Sequence, residues 1–168
     1  MLVLGEIPPP WFPLQSNTGL RIRNTARSFT VPLVAQLLIY AGIYAKQLHG
    51  TFTVADISGT QPGPFPPHKS HQDGFDADVA YDLTGEYPTE IPSPIAPAWI
   101  GVVHALAPWL DRIFMSQARI DEFNTRAPEA PIPALAPVLL VKWDGHQKHA
   151  HLRFRSPKIN ALPHVLPP

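Results

Sequence analysis

The chain has 168 residues, of which 45% are hydrophobic and 15% are charged, a composition typical of a folded domain and not of a disordered segment. Its 13 Lys and Arg residues balance 13 Asp and Glu residues, so net charge gives no basis for binding nucleic acid. Cysteine is absent, which excludes disulfides and thiolate metal sites. Any bound metal must therefore be held by histidine, carboxylate or carbonyl groups.

The clearest predicted helix spans residues 30–48, where apolar and aromatic side chains recur at helical spacing. Pro32 is compatible with its first turn. The uncharged run at 31–45 is shorter than the roughly 20 residues that a membrane span requires. We therefore expect a core helix and no membrane span.

Five short segments rich in β-branched or apolar residues predict strands, at 50–58, 78–83, 112–116, 138–143 and 150–155. We expect the last two to pair around a tight connection. Residues 97–111 predict a helix that Pro108 bends, and residues 117–124 a weaker one. Because helices and strands do not alternate regularly, we expect an α+β fold with a small, largely antiparallel sheet and flanking helices. Most of the 22 prolines lie in the connections.

Five of the eight histidines fall in two clusters: His68 and His71, and His146, His149 and His151. The three others are isolated, and isolated histidines are usually surface or core residues without a special role. In a strand, side chains two residues apart lie on the same face, so His149 and His151 point to one side of their strand. Asp76 and Asp78 share a face of another strand in the same way.

Gly74 permits a tight reversal of the chain between His71 and Asp78. With that reversal, two imidazoles and one carboxylate converge and leave a fourth tetrahedral position open, which is the ligand set of catalytic zinc. The spacing is equally compatible with a polar loop beside an exposed basic strand. Arg153 and Arg155 also share a strand face, either as a solvated surface or as a site for a substrate carboxylate.

The segment HKSHQDGFDADVAY, residues 68–81, resembles the H-x-S-H-Q-x-G-x-D-x-D-[VI] motif of the penicillin-insensitive murein endopeptidases. These are zinc peptidases related to the D-alanyl-D-alanine metallopeptidases and the lysostaphin-type enzymes. The segment VKWDGHQKHAHLRFRSP, residues 141–157, is similar to the H-x-x-H-x-H-[VL]-R element of that family, in the same order. The resemblance implies a hedgehog/D-Ala-D-Ala metallopeptidase-like zinc peptidase domain at 18–157, a Pro-rich N-terminal segment at 1–17 and a C-terminal tail at 158–168.

By position, the resemblance implies that the zinc ligands are His71, Asp78 and His151. It further implies that His149 orients water or stabilises the oxyanion, and that His146 and His68 line the site, with His68 near the metal in some members. We expect His146 to carry a proton to the leaving amine, although the roles of His146 and His149 could be exchanged. Asp76 is not expected to bind the metal.

The chain departs from the family pattern at two places. Residues 91–101, IPSPIAPAWIG, lack the acidic residue and histidine that some members use for a second metal, so a single functional zinc is expected. Ser156 stands where the family has a cysteine.

The function that the resemblance implies is hydrolysis of peptidoglycan cross-links between D-alanine and the side-chain amine of a diamino acid, by a metal-activated water. Alternatives that the same ligands would serve are a D,D-carboxypeptidase and a phage-type lysin. A zinc-retaining cell-wall-binding module without turnover is a third alternative. The expected location is periplasmic or secreted, reached with a leader outside this sequence or by another route such as lysis.

Overall fold

The computed structural model of the chain describes residues 12–60, 63–66, 70–90 and 94–156. Three α-helices and eight β-strands occur in these ranges, in agreement with the predicted α+β class. In chain order the elements are β1 (Phe12–Pro13), β2 (Leu20–Ile22), β3 (Phe29–Thr30), α1 (Pro32–Gln47), β4 (Phe52–Val54), β5 (Asp76–Ala80), α2 (Pro97–Leu106), β6 (Leu110–Met115), α3 (Gln117–Arg126), β7 (Leu140–Lys142) and β8 (His149–Phe154).

The main sheet has six strands in the order β2-β4-β5-β8-β6-β7, and β1 pairs with β3 separately. Strands β4, β5, β8 and β6 are antiparallel neighbours, whereas the outer strands β2 and β7 run parallel to β4 and β6. The four central strands are antiparallel, as expected. The sheet is larger than expected, and the strand at each edge is parallel to its neighbour. Each parallel pair is joined by a crossover that contains a helix, α1 in one case and α3 in the other, as parallel strands require.

Strands β7 and β8 do not form the predicted pair. Strand β8 lies between β5 and β6, while β7 pairs with β6 at the edge. The reason is the burial of β8, whose inward side chains Ala150, Leu152 and Phe154 are all buried in the core. A strand in the centre of the sheet fills both of its hydrogen-bonding edges, and a hairpin with β7 would leave the core divided.

One face of the sheet packs against the helices and the other carries polar side chains. Ala77 and Val79 of β5, like Ala150 and Leu152 of β8, are fully buried in one apolar cluster with residues of α1 and α2. Since successive strand residues point to opposite faces, Asp76, Asp78 and their partners on β8 point away from the helices. Burial of each large apolar side chain contributes about 1.5–3 kcal/mol, so this core holds the polar face in position.

All three helices confirm their sequence predictions, including α3, which covers the weaker helix expected at 117–124. Helix α1 begins at Pro32, where a missing N–H breaks no helical hydrogen bond, and it ends before Leu48. Helix α2 ends at Leu106, and Pro108 lies in a following 3₁₀ turn, Ala107–Trp109. Within the described ranges, no helix is long and apolar enough to cross a membrane.

Helix α1 makes its closest approach to the sheet at Gly42. A Cβ atom at this position would lie 2.7 Å from Leu20 Cβ and 3.0 Å from the Leu20 backbone nitrogen. Both atoms belong to β2 and cannot move without shifting the strand. Glycine at this position therefore sets the distance between α1 and the edge of the sheet.

We expect Gly42→Ala to lower the free energy of unfolding by about 1–3 kcal/mol, because overpacking outweighs the gain in helix propensity of about 1 kcal/mol. Gly101→Ala in α2 is the matched control, since its Cβ would lie 3.1 Å from ring atoms of Pro131, which can adjust. Urea denaturation of both variants checks this. Equal stability of the two variants would contradict it.

Candidate metal centre

The position of His71 depends on an unusual backbone turn. His71 has a φ of 63° and Gly74 a φ of 72°, so the chain passes twice through the left-handed region as it enters β5. Thr30 Oγ1 donates a hydrogen bond of 2.7 Å to the Gly74 carbonyl, and the His71 N–H donates one of 3.2 Å to Asp76 Oδ2. The reversal expected at Gly74 is therefore present, and it returns His71 to the polar face of β5.

The register of β5 and β8 places the other ligand candidates. Asp78 stands opposite His151, Asp76 opposite Arg153, and Ala80 opposite His149. Directly opposed residues have Cβ atoms about 4.5–5.5 Å apart, so carboxylate and imidazole reach one another without distortion.

Three imidazole nitrogens surround one carboxylate oxygen, Asp78 Oδ1. It lies 3.2 Å from His71 Nε2, 3.1 Å from His151 Nδ1 and 3.7 Å from His149 Nε2. His71, Asp78 and His151 are all buried, and one ligand atom from each lies within 4.8 Å of the others. The structure therefore brings together the three residues that the sequence motifs predict as metal ligands.

The donor set fits a divalent metal ion. Ligands at about 2.0–2.2 Å from a tetrahedral zinc stand about 3.3–3.6 Å apart, close to the spacing between Asp78 Oδ1 and the two buried imidazoles. Asp78 Oδ1 is also buried without a partner in hydrogen-bonding geometry among the described residues. A cation among these atoms would replace the imidazole groups as the charge partner of the buried carboxylate.

Outer contacts orient both ligand histidines. His71 Nδ1 donates to the Ile57 carbonyl at 2.7 Å, which leaves Nε2 facing Asp78. His151 Nε2 donates to Asp76 Oδ1 at 2.7 Å, which leaves Nδ1 facing Asp78. Such contacts set the tautomer and the ring orientation of metal-binding histidines.

Asp76 is itself held by Arg153, which donates from Nε at 2.8 Å and from a terminal nitrogen at 3.0 Å. Asp76 is not part of the buried donor group, in line with its expected exclusion from the ligands. Arg153 is neither a purely solvated residue nor an open carboxylate site, since its guanidinium is paired with Asp76. Arg155 donates to the Leu110 carbonyl.

The electrostatics of the buried group favour charged carboxylates. Although burial opposes the charge of Asp78, the close imidazoles of His151 and His71 hold the pKa of its carboxyl well below the usual range. Burial likewise opposes the charge of His151, but the carboxylates of Asp76 and Asp78 raise its pKa to about 9. Without a metal, His151 is therefore protonated at neutral pH.

His146 and His149 lie on the more accessible side of the buried group. Both are half-buried, and together with Asp78 they form a second set of donors within 4.8 Å of one another. Burial and the neighbouring imidazoles of His149 and His151 lower the pKa of His146 to about 4, so it is neutral at neutral pH. His68, the remaining predicted site residue, lies outside the described residues.

Aromatic side chains that the sequence motifs do not include also contact these histidines. The ring centroid of Tyr87 lies 6.0 Å from that of His149, and the Trp143 centroid 5.7 Å from that of His146. The Phe114 centroid lies 5.2 Å from that of His151. No sequence spacing connects Tyr87 or Phe114 with the histidine clusters, whereas Trp143 lies three residues before His146.

Comparison with known proteins adds no assignment. No family model matches the chain, and no curated protein is significantly similar to it.

We expect metal affinity to fall most in variants of the three buried ligands. Asp78→Asn removes the charge at the centre. Asp76→Asn changes the contacts that orient His151 and the His71 turn, and should lower affinity by about 10–100-fold. His49→Asn is the control, because His49 belongs to neither donor group. Elemental analysis and competition with a chelator measure the metal affinity of each variant. Equal losses of affinity in Asp78→Asn and Asp76→Asn would contradict the prediction.

We expect metal affinity to rise with pH. The metal must displace the proton that His151 holds up to about pH 9, so affinity should increase about tenfold per pH unit between pH 6 and 8. Competition titrations against a chelator of known pH dependence provide the measurement. A flat profile over this range would show that no proton is released from the site.

The metal-free protein should show the opposite trend in stability. The folded pKa of His151 is raised above its ordinary value of 6.5, so its stabilising contribution is complete below pH 6.5 and is lost as the pH rises through about 9. Chelator-treated protein should therefore melt at a lower temperature at pH 9 than at pH 6.5. His151→Gln should reduce this difference, and the His49→Asn control should keep it.

Proposed function

We propose that the protein is a zinc-dependent murein endopeptidase that hydrolyses peptidoglycan cross-links between D-alanine and a diamino acid. The observation that carries the proposal is the convergence of His71, Asp78 and His151, with two further imidazoles on the accessible side. Two imidazoles and one carboxylate with an open fourth position are typical of catalytic zinc. The resemblance of the two histidine motifs supplies the substrate class, and with it action outside the cytoplasm.

The chemistry of the donors supports zinc as the metal. Calcium and magnesium prefer shells of oxygen ligands, whereas two of the three buried donors here are imidazole nitrogens. When bound, zinc supplies a water of lowered pKa and a Lewis acid for the scissile carbonyl. His71, Asp78 and His151 would hold it.

His149 and His146 would carry the remaining steps. His149 Nε2 lies 3.7 Å from Asp78 Oδ1 and is exposed enough to meet a substrate, so it would donate a hydrogen bond to the developing oxyanion. His146 is neutral at neutral pH, so it would accept the proton that the attacking water loses and pass it to the leaving amine. The ring centroids of the two imidazoles are 5.0 Å apart, so both can contact one peptide bond.

The buried partners would keep this arrangement rigid. Asp76 and the Ile57 carbonyl restrain the two ligand rings, and Arg153 restrains Asp76. Tyr87 and Trp143 border the accessible side and would limit the entry of bulk water around a bound peptide. No acyl-enzyme forms in this mechanism, so β-lactams would not acylate the protein.

We expect His149→Ala to retain zinc and to lose about a hundredfold or more in turnover of cross-linked muropeptide dimers. His151→Ala should lose zinc and turnover together. His49→Asn is the control that should keep both. Mass analysis of digested peptidoglycan, with zinc measured on the same samples, provides the readout.

The same digestion separates the alternatives. Chelator should abolish cleavage, added zinc should restore it, and penicillin should have no effect. If terminal D-alanine is released while the dimers stay intact, the protein is a D,D-carboxypeptidase and not an endopeptidase. If zinc binds but no bond is cleaved, the remaining alternative is a cell-wall-binding module without turnover.

A further inference from the structure

We infer that the centre accepts a second divalent cation, held by Asp78, His146 and His149, and that this second cation inhibits the protein. The binding part of the inference is independent of the proposed function, whereas the inhibition rests on it. The single functional zinc expected from the sequence corresponds to the buried donor group, and the second cation would occupy the more accessible group.

Two sets of three donors meet at Asp78. One contains His71 and His151, the other His146 and His149, and within each set the ligand atoms lie within 4.8 Å of one another. A carboxylate has two oxygens and can bridge two cations, whose usual separation in proteins is about 3.5–4 Å. Asp78 Oδ1 lies 3.2 Å from His71 Nε2 and 3.7 Å from His149 Nε2, so one carboxylate is within reach of both sets.

His146 provides a second observation that points to a ligand. Its Nδ1 atom is buried and forms no well-aligned hydrogen bond among the described residues, although the Trp143 backbone lies nearby. A buried nitrogen without a partner is unfavourable, and neutral imidazole is a common metal ligand. The ring centroid of His146 lies 5.0 Å from that of His149, close enough for both rings to bind one cation.

The two sites should fill in a fixed order. The buried set has its imidazoles oriented by Ile57 and Asp76, and its members are almost fully shielded from solvent. In the second set His149 keeps 21% of its side chain exposed, so water competes there with the cation. The first cation therefore binds tightly in the buried set, and the second binds more weakly.

Occupation of the second set would remove both imidazoles that the proposed mechanism uses. A nitrogen that binds a cation can neither accept a proton nor donate a hydrogen bond to an oxyanion. Moderate excess zinc should therefore inhibit a protein that stoichiometric zinc activates.

Calorimetric titration of the metal-free protein with zinc tests the binding. The wild type should bind two zinc ions, the second at least tenfold more weakly than the first. His146→Ala should bind one ion with the affinity of the first, and His71→Ala should lose the tight phase while it retains the weak one. His146→Gln serves as a second variant, and the His49→Asn control should bind two ions.

A wild type that binds one ion at any zinc concentration, or a His146→Ala variant that still binds two, would overturn the inference. A cobalt titration gives an independent readout, because ions bound in two steps change the visible absorption in two phases. Cleavage assays with rising zinc test the inhibition separately. If no cross-link is cleaved, the proposed function is wrong. The number of zinc ions bound per chain still shows whether the second site exists.

Discussion

The pairing of β5 with β8 is the constraint on which the rest of the site depends. It sets Asp78 opposite His151 and Asp76 opposite Arg153, and so fixes one ligand pair and the contact that orients it. The same pairing turns Val79 and Ala150 into the apolar core. Because one register serves both faces, packing of the helices against the sheet also determines the distances between the polar groups.

The polar face is energetically costly by itself. Asp76 and Asp78 are almost fully buried, and removing a carboxylate from water is unfavourable unless charge partners surround it. Imidazoles and one guanidinium supply these partners in the absence of metal. Burial of apolar side chains on the opposite face offsets the remaining free-energy cost of the buried charges. The core therefore stabilises the fold, and the polar site lowers that stability. Rigidity at the candidate ligands is thus maintained by residues outside both donor groups.

Helical periodicity acts over short distances and was sufficient to predict α1, α2 and α3. Two-residue alternation placed the histidines and aspartates on shared strand faces, whereas the choice of His71, Asp78 and His151 came from the motif resemblance. The partners of strands were not predictable in this way. Strands β7 and β8 were expected to pair, yet β8 inserts beside β5, whose Asp76 is 77 residues from Arg153 in the chain. The Ile57 carbonyl and Tyr87 were missed for the same reason, since neither carries a local signal that connects it with histidine.

The left-handed backbone at His71 has a consequence for how this site can change. A residue with a Cβ atom rarely adopts such a φ, and the turn persists because Thr30 and Asp76 hold its neighbouring peptide groups. Strain at a ligand means that loss of either tether would let the turn relax and carry the imidazole away from its partners. Among the described residues other than glycine, only His49 and His71 have a positive φ, so substitutions at His146 and His149 are not limited by a strained backbone of this kind.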